Sequence, residues 1–222
     1  MRHLLIGITC LLAAAVVPNA RADAARWQST TEGCLVWNAL PQPDETFEWS
    51  GPCVDGRTNG SGTEIDRFRD HDGWQVERYV GEMREGRRDG VGTQYYENGD
   101  RFEGRFRANE RVGHGVYAFA NGDRYEGDFM RDQLTGRGTL EYRSGAHYEG
   151  DFRNGSFDGH GTFVFANGNR YDGEFRAGLP NGQGTFRTHG GETVTGQWTN
   201  GCIRQGARVA AVGTSKEQCG FR

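Results

Sequence analysis

Apolar and polar positions alternate with a period of two along most of the chain. In RYEGDF, residues 124 to 129, Tyr125, Gly127 and Phe129 share one parity, while Arg124, Glu126 and Asp128 share the other. This is the pattern of a strand with one buried and one wet face. A second stretch repeats it, with Gly136, Gly138, Leu140 and Tyr142 on one parity and Thr139, Glu141 and Arg143 opposite. Each unit therefore predicts two short strands. Asn98-Gly99, Asn121-Gly122, Ser144-Gly145, Asn167-Gly168 and Gly190-Gly191 punctuate the units. Pairs of this kind supply the positive φ of a tight hairpin turn, so the strands are expected to run antiparallel.

HYEGDF (147 to 152) and RYDGEF (170 to 175) follow the first hexapeptide at a spacing of 23 residues. Gly81, Gly104, Gly127, Gly150, Gly173 and Gly196 keep that spacing, and a Gly-x-Gly pair from Gly90-x-Gly92 to Gly182-x-Gly184 runs beside it. A fixed internal period signals a repeat array. The expected fold is all-β: an elongated, twisted antiparallel sheet of repeated β-hairpins. Tyr79, Phe102, Tyr125, Tyr148 and Tyr171 should form one aromatic column, and Phe106, Phe129, Phe152 and Phe175 the next. Glycine on the apolar face leaves a gap for a neighbouring ring. Glu126, Asp128, Glu149, Asp151, Asp172 and Glu174 form an acidic band opposite, within cross-strand reach of Arg124, Arg143, Arg153 and Arg170.

The period breaks near the amino terminus. From Gly51 to Gly81 the spacing is 30, seven residues more than the repeat. The extra residues lie in EIDRFRDHDGWQVER (64 to 78), which alternates on both sides of Asp72-Gly73 and reads as a longer hairpin, a finger carrying Phe68, Trp74 and Val76. Further upstream, a basic Arg2, an apolar run from Leu4 to Val17, Pro18 and the small residues of Ala20-Arg21-Ala22 have the pattern of a secretory signal peptide. The expected organisation is a signal peptide over 1–22, with 24 as an alternative end, an amino-terminal cap over 23–46, about seven repeat units over 47–203, and a carboxy-terminal cap over 204–222.

From Tyr148 to Thr162 the unit reads Tyr-Glu-Gly-Asp-Phe-Arg-Asn-Gly-x-x-x-Gly-x-Gly-Thr, and this resembles the MORN repeat (membrane occupation and recognition nexus). The resemblance covers roughly residues 47 to 203 and recurs in register. It implies an open antiparallel sheet that serves as a scaffold or interaction module, and membrane-lipid binding has been attributed to the family. Cys34, Cys53, Cys202 and Cys219 remain after the leader, an even number that favours disulfides and allows three pairings. In a linear array about twelve strands at ~4.8 Å separate Cys53 from Cys202. A disulfide spans only about 7 Å between Cα atoms, so the expected pairs are local, Cys34 with Cys53 and Cys202 with Cys219.

Candidate chemistry is sparse. His114 and His160 share a slot that holds Val91, Arg137 and Gln183 in other units, which argues against a ligand row. Asp70-His71-Asp72-Gly73 resembles a calcium loop only in part, since Phe68 occupies a ligand position. No Gly-x-Ser-x-Gly elbow occurs, and no one carboxylate pair is set apart from those of the other repeats. No catalytic residue, metal or cofactor is therefore expected. The formal net charge is −4. That balance argues against nucleic acid and against anionic membrane surfaces, which select clustered positive charge.

The sequence thus points to an exported protein, periplasmic or secreted, acting as a non-enzymatic scaffold or protein-interaction module. Its expected partner is an unidentified protein or an envelope polymer, with membrane association and self-association left open. Phe68 and Trp74 on the finger are the first binding candidates. The alternative is recognition of an envelope glycan or membrane lipid along the aromatic face, on rings such as Tyr125, Tyr148 and Tyr171.

Overall fold

A computed structural model describes residues 26–220, and the predicted leader over 1–22 lies outside the described residues. Every regular element among them is a strand. The amino-terminal strands are β1 (Arg26–Ser29), β2 (Leu35–Asn38), β3 (Thr46–Trp49), β4 (Cys53–Val54), β5 (Arg57–Thr58), β6 (Gly60–Asp70), β7 (Gly73–Arg84), β8 (Arg87–Tyr95), β9 (Arg101–Arg107) and β10 (Glu110–Ala118). The rest are β11 (Arg124–Met130), β12 (Gln133–Glu141), β13 (His147–Arg153), β14 (Ser156–Val164), β15 (Arg170–Arg176), β16 (Leu179–Arg187), β17 (Thr193–Trp198), β18 (Cys202–Gln205) and β19 (Arg208–Ala211). An open sheet of thirteen strands takes β6 to β17 in chain order, with β3 beside β6. The expected antiparallel sheet of consecutive hairpins is present.

The described residues group into two compact units: residues 26–122 with 129–132, and residues 123–128 with 133–220. In the second, the repeat shows its construction most plainly. Tyr148 is fully buried, its ring stacked on Phe157 at 3.7 Å and edge-on to Phe152 and Phe175 at 5.2 Å. Its hydroxyl donates to the Asp151 carbonyl at 2.9 Å. The ring lies over paired Gly150 and Gly161, and a methyl group on Gly150 would sit 2.6 Å from Tyr148 Oη and 2.5 Å from Gly161 Cα. Glycine is thus required for close approach of ring and backbone. Tyr125 and Tyr171 make the same bond to the carbonyls of Asp128 and Glu174, each at 3.1 Å. Trp198 closes the column, buried and edge-on to Tyr171 at 5.2 Å.

Two turn types alternate, of which the sequence reading recognised one. At Asn98-Gly99 and its equivalents only the glycine has positive φ, for example Gly99 at 87°. The tighter two-residue connections lie elsewhere, at Ala108-Asn109 (49° and 76°), Arg131-Asp132 (49° and 67°) and Asn154-Gly155 (49° and 79°). Positive φ at both central positions matches the right-handed twist of the flanking strands. Opposite these turns the ladder slips by a bulge, as between Gly150 and Phe152. The hexapeptide acid stabilises the bulge: Asp151 accepts the His160 N–H and Glu174 the Gln183 N–H, each at 2.9 Å. Part of the acidic band is therefore backbone capping rather than ion pairing. Elsewhere it pairs with arginine, though within a strand rather than across strands where Arg170 bonds Asp172 at 3.1 Å, while Arg124 reaches Glu141 on the neighbouring strand at 3.9 Å.

In the first unit, Tyr79 donates to the Glu82 carbonyl at 2.9 Å and packs edge-on to Phe106 at 5.2 Å. Trp49 takes the tyrosine's place at the start of the sheet, over Gly51 and Gly62. The finger is confirmed as one continuous hairpin, with β6 paired to β7 from Gly60↔Met83 to Asp70↔Gly73. Residues 53–58, inside the span expected for the repeat units, instead join a separate four-stranded sheet in the order β1-β2-β5-β4. This small sheet docks on the β7–β8 turn, where Trp37 N–H donates to the Gly86 carbonyl at 2.7 Å and Arg87 lies over the Trp37 ring at 4.7 Å. Both expected disulfides are present, Cys34–Cys53 with Cα atoms 5.7 Å apart and Cys202–Cys219 with 5.6 Å.

Candidate functional site

The rings proposed as a ligand platform are not accessible. Tyr125, Tyr148 and Tyr171 each have 0% relative exposure. The neighbouring phenylalanines cover their faces and the glycine pairs receive their edges, so the glycan or lipid stacking expected there is corrected to core packing. Their hydroxyls are already committed to carbonyls within the same repeat.

The finger divides its two candidates between opposite faces. Trp74 pairs with Arg69, and Phe68 with Gln75, so strand alternation sends the two rings to different sides. Trp74 is 61% exposed, and Val76 and Val80 continue its parity along β7 with 51% and 38% exposure. Val91 on the adjoining β8 is also exposed. At the finger's tip, ligand atoms of Asp70, His71 and Asp72 lie within 4.8 Å of one another. Asp70 there already accepts the Asp72 N–H at 2.8 Å and the Gln75 amide at 3.1 Å.

Phe68 lines a cavity of about 360 Å³ that the sequence reading did not anticipate. The amino-terminal cap contributes Val36, Trp37, Leu40 and Glu45, the sheet contributes Phe47, Glu64, Asp66, Glu77 and Arg88, and Asn109 completes the wall. Arg88 binds Glu64 at 2.6 Å, with the two side chains 19% and 5% exposed. The remaining carboxyls bond to amides and to one another, Asp66 with Glu45 and Glu77 with Glu97. Glu45 accepts hydrogen bonds from Asn38 at 2.6 Å and Gln28 at 3.2 Å, and from the Gln42 N–H at 3.0 Å. Glu77 accepts one from Gln94 at 2.9 Å. Burial, reinforced by the charges of Glu45 and Glu64, pushes the Asp66 carboxyl up to about 8. Burial also pushes Glu77 to about 8, helped by a hydrogen bond with Glu97 and only partly offset by Arg88. Glu45 is raised by burial as well. The site therefore holds protons on carboxyl groups at neutral pH.

A signal for this cluster was present in the alternation. Glu64, Asp66 and Phe68 share one parity on β6, and Glu77 and Tyr79 share one on β7, so acids occupy positions that the repeats fill with apolar residues. What parity could not supply was the cap that folds over them.

The MORN repeat family model matches five consecutive stretches, residues 79–101, 102–124, 125–147, 148–170 and 171–193. A search of curated proteins finds no match. The matched repeats begin at Tyr79, which leaves the finger, the cavity's acids and both caps outside them. Two disulfides point to an oxidising compartment. Among the described residues no helix is long and apolar enough to cross a membrane. With more than half its length in matched repeats that carry the ring-over-glycine packing described above, the chain belongs to the MORN repeat family.

Proposed function

We propose that this protein is an exported, non-enzymatic interaction module in which the MORN repeats form the frame and the amino-terminal finger makes the contact with a protein partner. The observation that carries the reading is the exposed apolar row of Trp74, Val76 and Val80 on one face of β7. A partly exposed tryptophan with apolar neighbours has the composition of an interface anchor. By contrast, the tyrosine and phenylalanine columns of the hexapeptides are used up in packing, as the burial of Tyr148 and Phe152 illustrates. Export is supported by the two disulfides and by the leader-like residues 1–22.

The test is a cross-linked pull-down from an envelope extract with the oxidised protein and its Trp74→Ala variant. A specific protein captured by the parent and reduced about tenfold or more by the substitution supports the reading, since truncating an interface anchor costs about 2 kcal/mol. Equal capture by both, or retention of polysaccharide alone, contradicts it.

A further inference from the structure

We propose that residues 39–45, between β2 and β3, form a pH-controlled strap: a hydrogen bond from Asp66 to Glu45 latches it over the face of the finger opposite Trp74 in acid, and loss of that bond as the medium turns alkaline frees it. The strap forms one wall of the cavity, with Ala39, Leu40, Gln42 and Glu45 across from Asp66 and Phe68 on β6. Two contacts reach from it to the finger. The Pro43 carbonyl accepts the Arg69 N–H at 3.1 Å, and Glu45 bonds to Asp66. The rest of the cap is held by other means: the Cys34–Cys53 disulfide, the Trp37 N–H on the Gly86 carbonyl, and the Thr31 N–H on the Phe47 carbonyl. The strap is therefore free to lift while the cap stays in place.

Two carboxyl groups share a hydrogen bond only while one of them keeps a proton. Glu45 is the acceptor: its Oε2 takes hydrogen bonds from Asn38 at 2.6 Å, from Gln28 at 3.2 Å and from the Gln42 N–H at 3.0 Å, a set of donors that favours the ionised form. Asp66 therefore holds the proton. The charged groups around Asp66 are Glu45 on the strap, Glu64 on its own strand, Glu77 on β7, and Arg88 on β8, which is bound to Glu64 at 2.6 Å. Once Asp66 ionises, the donor is gone and two carboxylates are left in contact, which drives strap and finger apart. Glu77 shares a hydrogen bond with Glu97 on the loop after β8 and titrates in the same range. Neither of those two groups lies on the strap, so their pair adds charge to the cavity without holding the strap down.

The direction of the switch follows from proton affinity. Burial, with the charges of Glu45 and Glu64, raises Asp66 to about 8 while the strap is closed. With the strap open, the group returns toward the ordinary value of about 4. A proton held more tightly in the closed form favours closure fully below about pH 4, and that contribution is spent by about pH 8. Opening widens a cavity of about 360 Å³ and uncovers Phe68. The cavity lies on the opposite face of the hairpin from Trp74, so the switch stands or falls separately from the protein contact.

Backbone amide exchange resolved by NMR on the oxidised protein tests it, with each rate divided by the intrinsic rate at the same pH. The Arg69 N–H, which donates to the Pro43 carbonyl, reports the strap, and the paired amides of β13 and β14 report the repeats. The expected result is a loss of Arg69 protection of about tenfold per pH unit between about pH 6 and about pH 8, levelling above that, while β13 and β14 keep theirs. Asp66→Asn retains a donor toward Glu45 that does not titrate, so its Arg69 protection is expected to stay level over the same range. Protected β13 and β14 amides show that the variant is folded; if they are lost, Glu45→Gln, which removes the carboxylate instead, takes its place with the same expected profile. Level protection in the parent, a parallel fall at Arg69 and in the repeats, or an undiminished fall in the folded variant overturns the proposal.

Discussion

Tyr148 and Gly150 show why the hexapeptide has its composition. The ring needs the missing side chain at Gly150, and its hydroxyl reaches the carbonyl at Asp151 beside the bulge. Gly150→Ala would force a methyl against Gly161 Cα and the tyrosine, so it is expected to destabilise the protein by about 2 kcal/mol, measured by urea denaturation. The ring's position was legible from parity, but the hydroxyl bond was not, because it depends on a bulge that alternation does not reveal. Asp66 and Glu77 lead to a second expectation. Their protons are held more tightly in the folded chain than in the unfolded one, so their contribution to stability is full below the ordinary carboxylate value of about 4. It is lost as pH rises to about 8. Glu32, lowered to about 2 by hydrogen bonds from Thr31 and from the Trp49 N–H, acts in the opposite sense and only in acid. The thermal midpoint should therefore fall from about pH 5 to about pH 8, and Glu77→Gln should flatten part of that fall. A midpoint that rises across this range would contradict the burial of both acids.

Strand periodicity and the 23-residue spacing specified the hairpins, and residues β6 to β17 follow that reading closely. The turns were only half legible. Asn98-Gly99 announces itself by composition, whereas Ala108-Asn109 and Arg131-Asp132 take left-handed geometry without glycine. They are held there by tertiary contacts such as the Arg111 bond to Asp132 at 2.9 Å. Cap pairing was legible as distance, since only local cysteines can meet, but the folding of β4 and β5 into the cap sheet was not. That choice depends on a parallel contact of Leu35 with Arg57, which no local pattern encodes. The β18–β19 hairpin buries Ile203 and Ala210 and is tied by Cys202–Cys219. Reduction of this disulfide should cost about 3 kcal/mol. Hydrogen exchange should register the loss first at residues 202–211 while β13 and β14 keep their protection. Simultaneous loss in both places would show that the carboxy-terminal hairpin and the repeats form a single cooperative unit.

A repeat array divides labour between units that pack and units that depart from the pattern. The matched stretches from residue 79 to 193 bury the rings of their hexapeptide columns, as the tyrosines show. The departures are concentrated before Tyr79, where the long hairpin carries an exposed tryptophan on one face and a capped acidic cavity on the other. The sequence identified this segment as the least regular part of the sheet, and irregularity on a rigid frame is where binding residues concentrate. The central claim is that the contact lies on the finger and not along the repeats. It is tested most directly by placing a photo-crosslinking residue at position 74 and, in a second variant, at exposed position 149 on β13, then irradiating cells and identifying adducts by mass spectrometry. A discrete protein adduct from position 74 and none from position 149 is the predicted result. An adduct formed from position 149 alone would move the contact to the repeats and contradict the account.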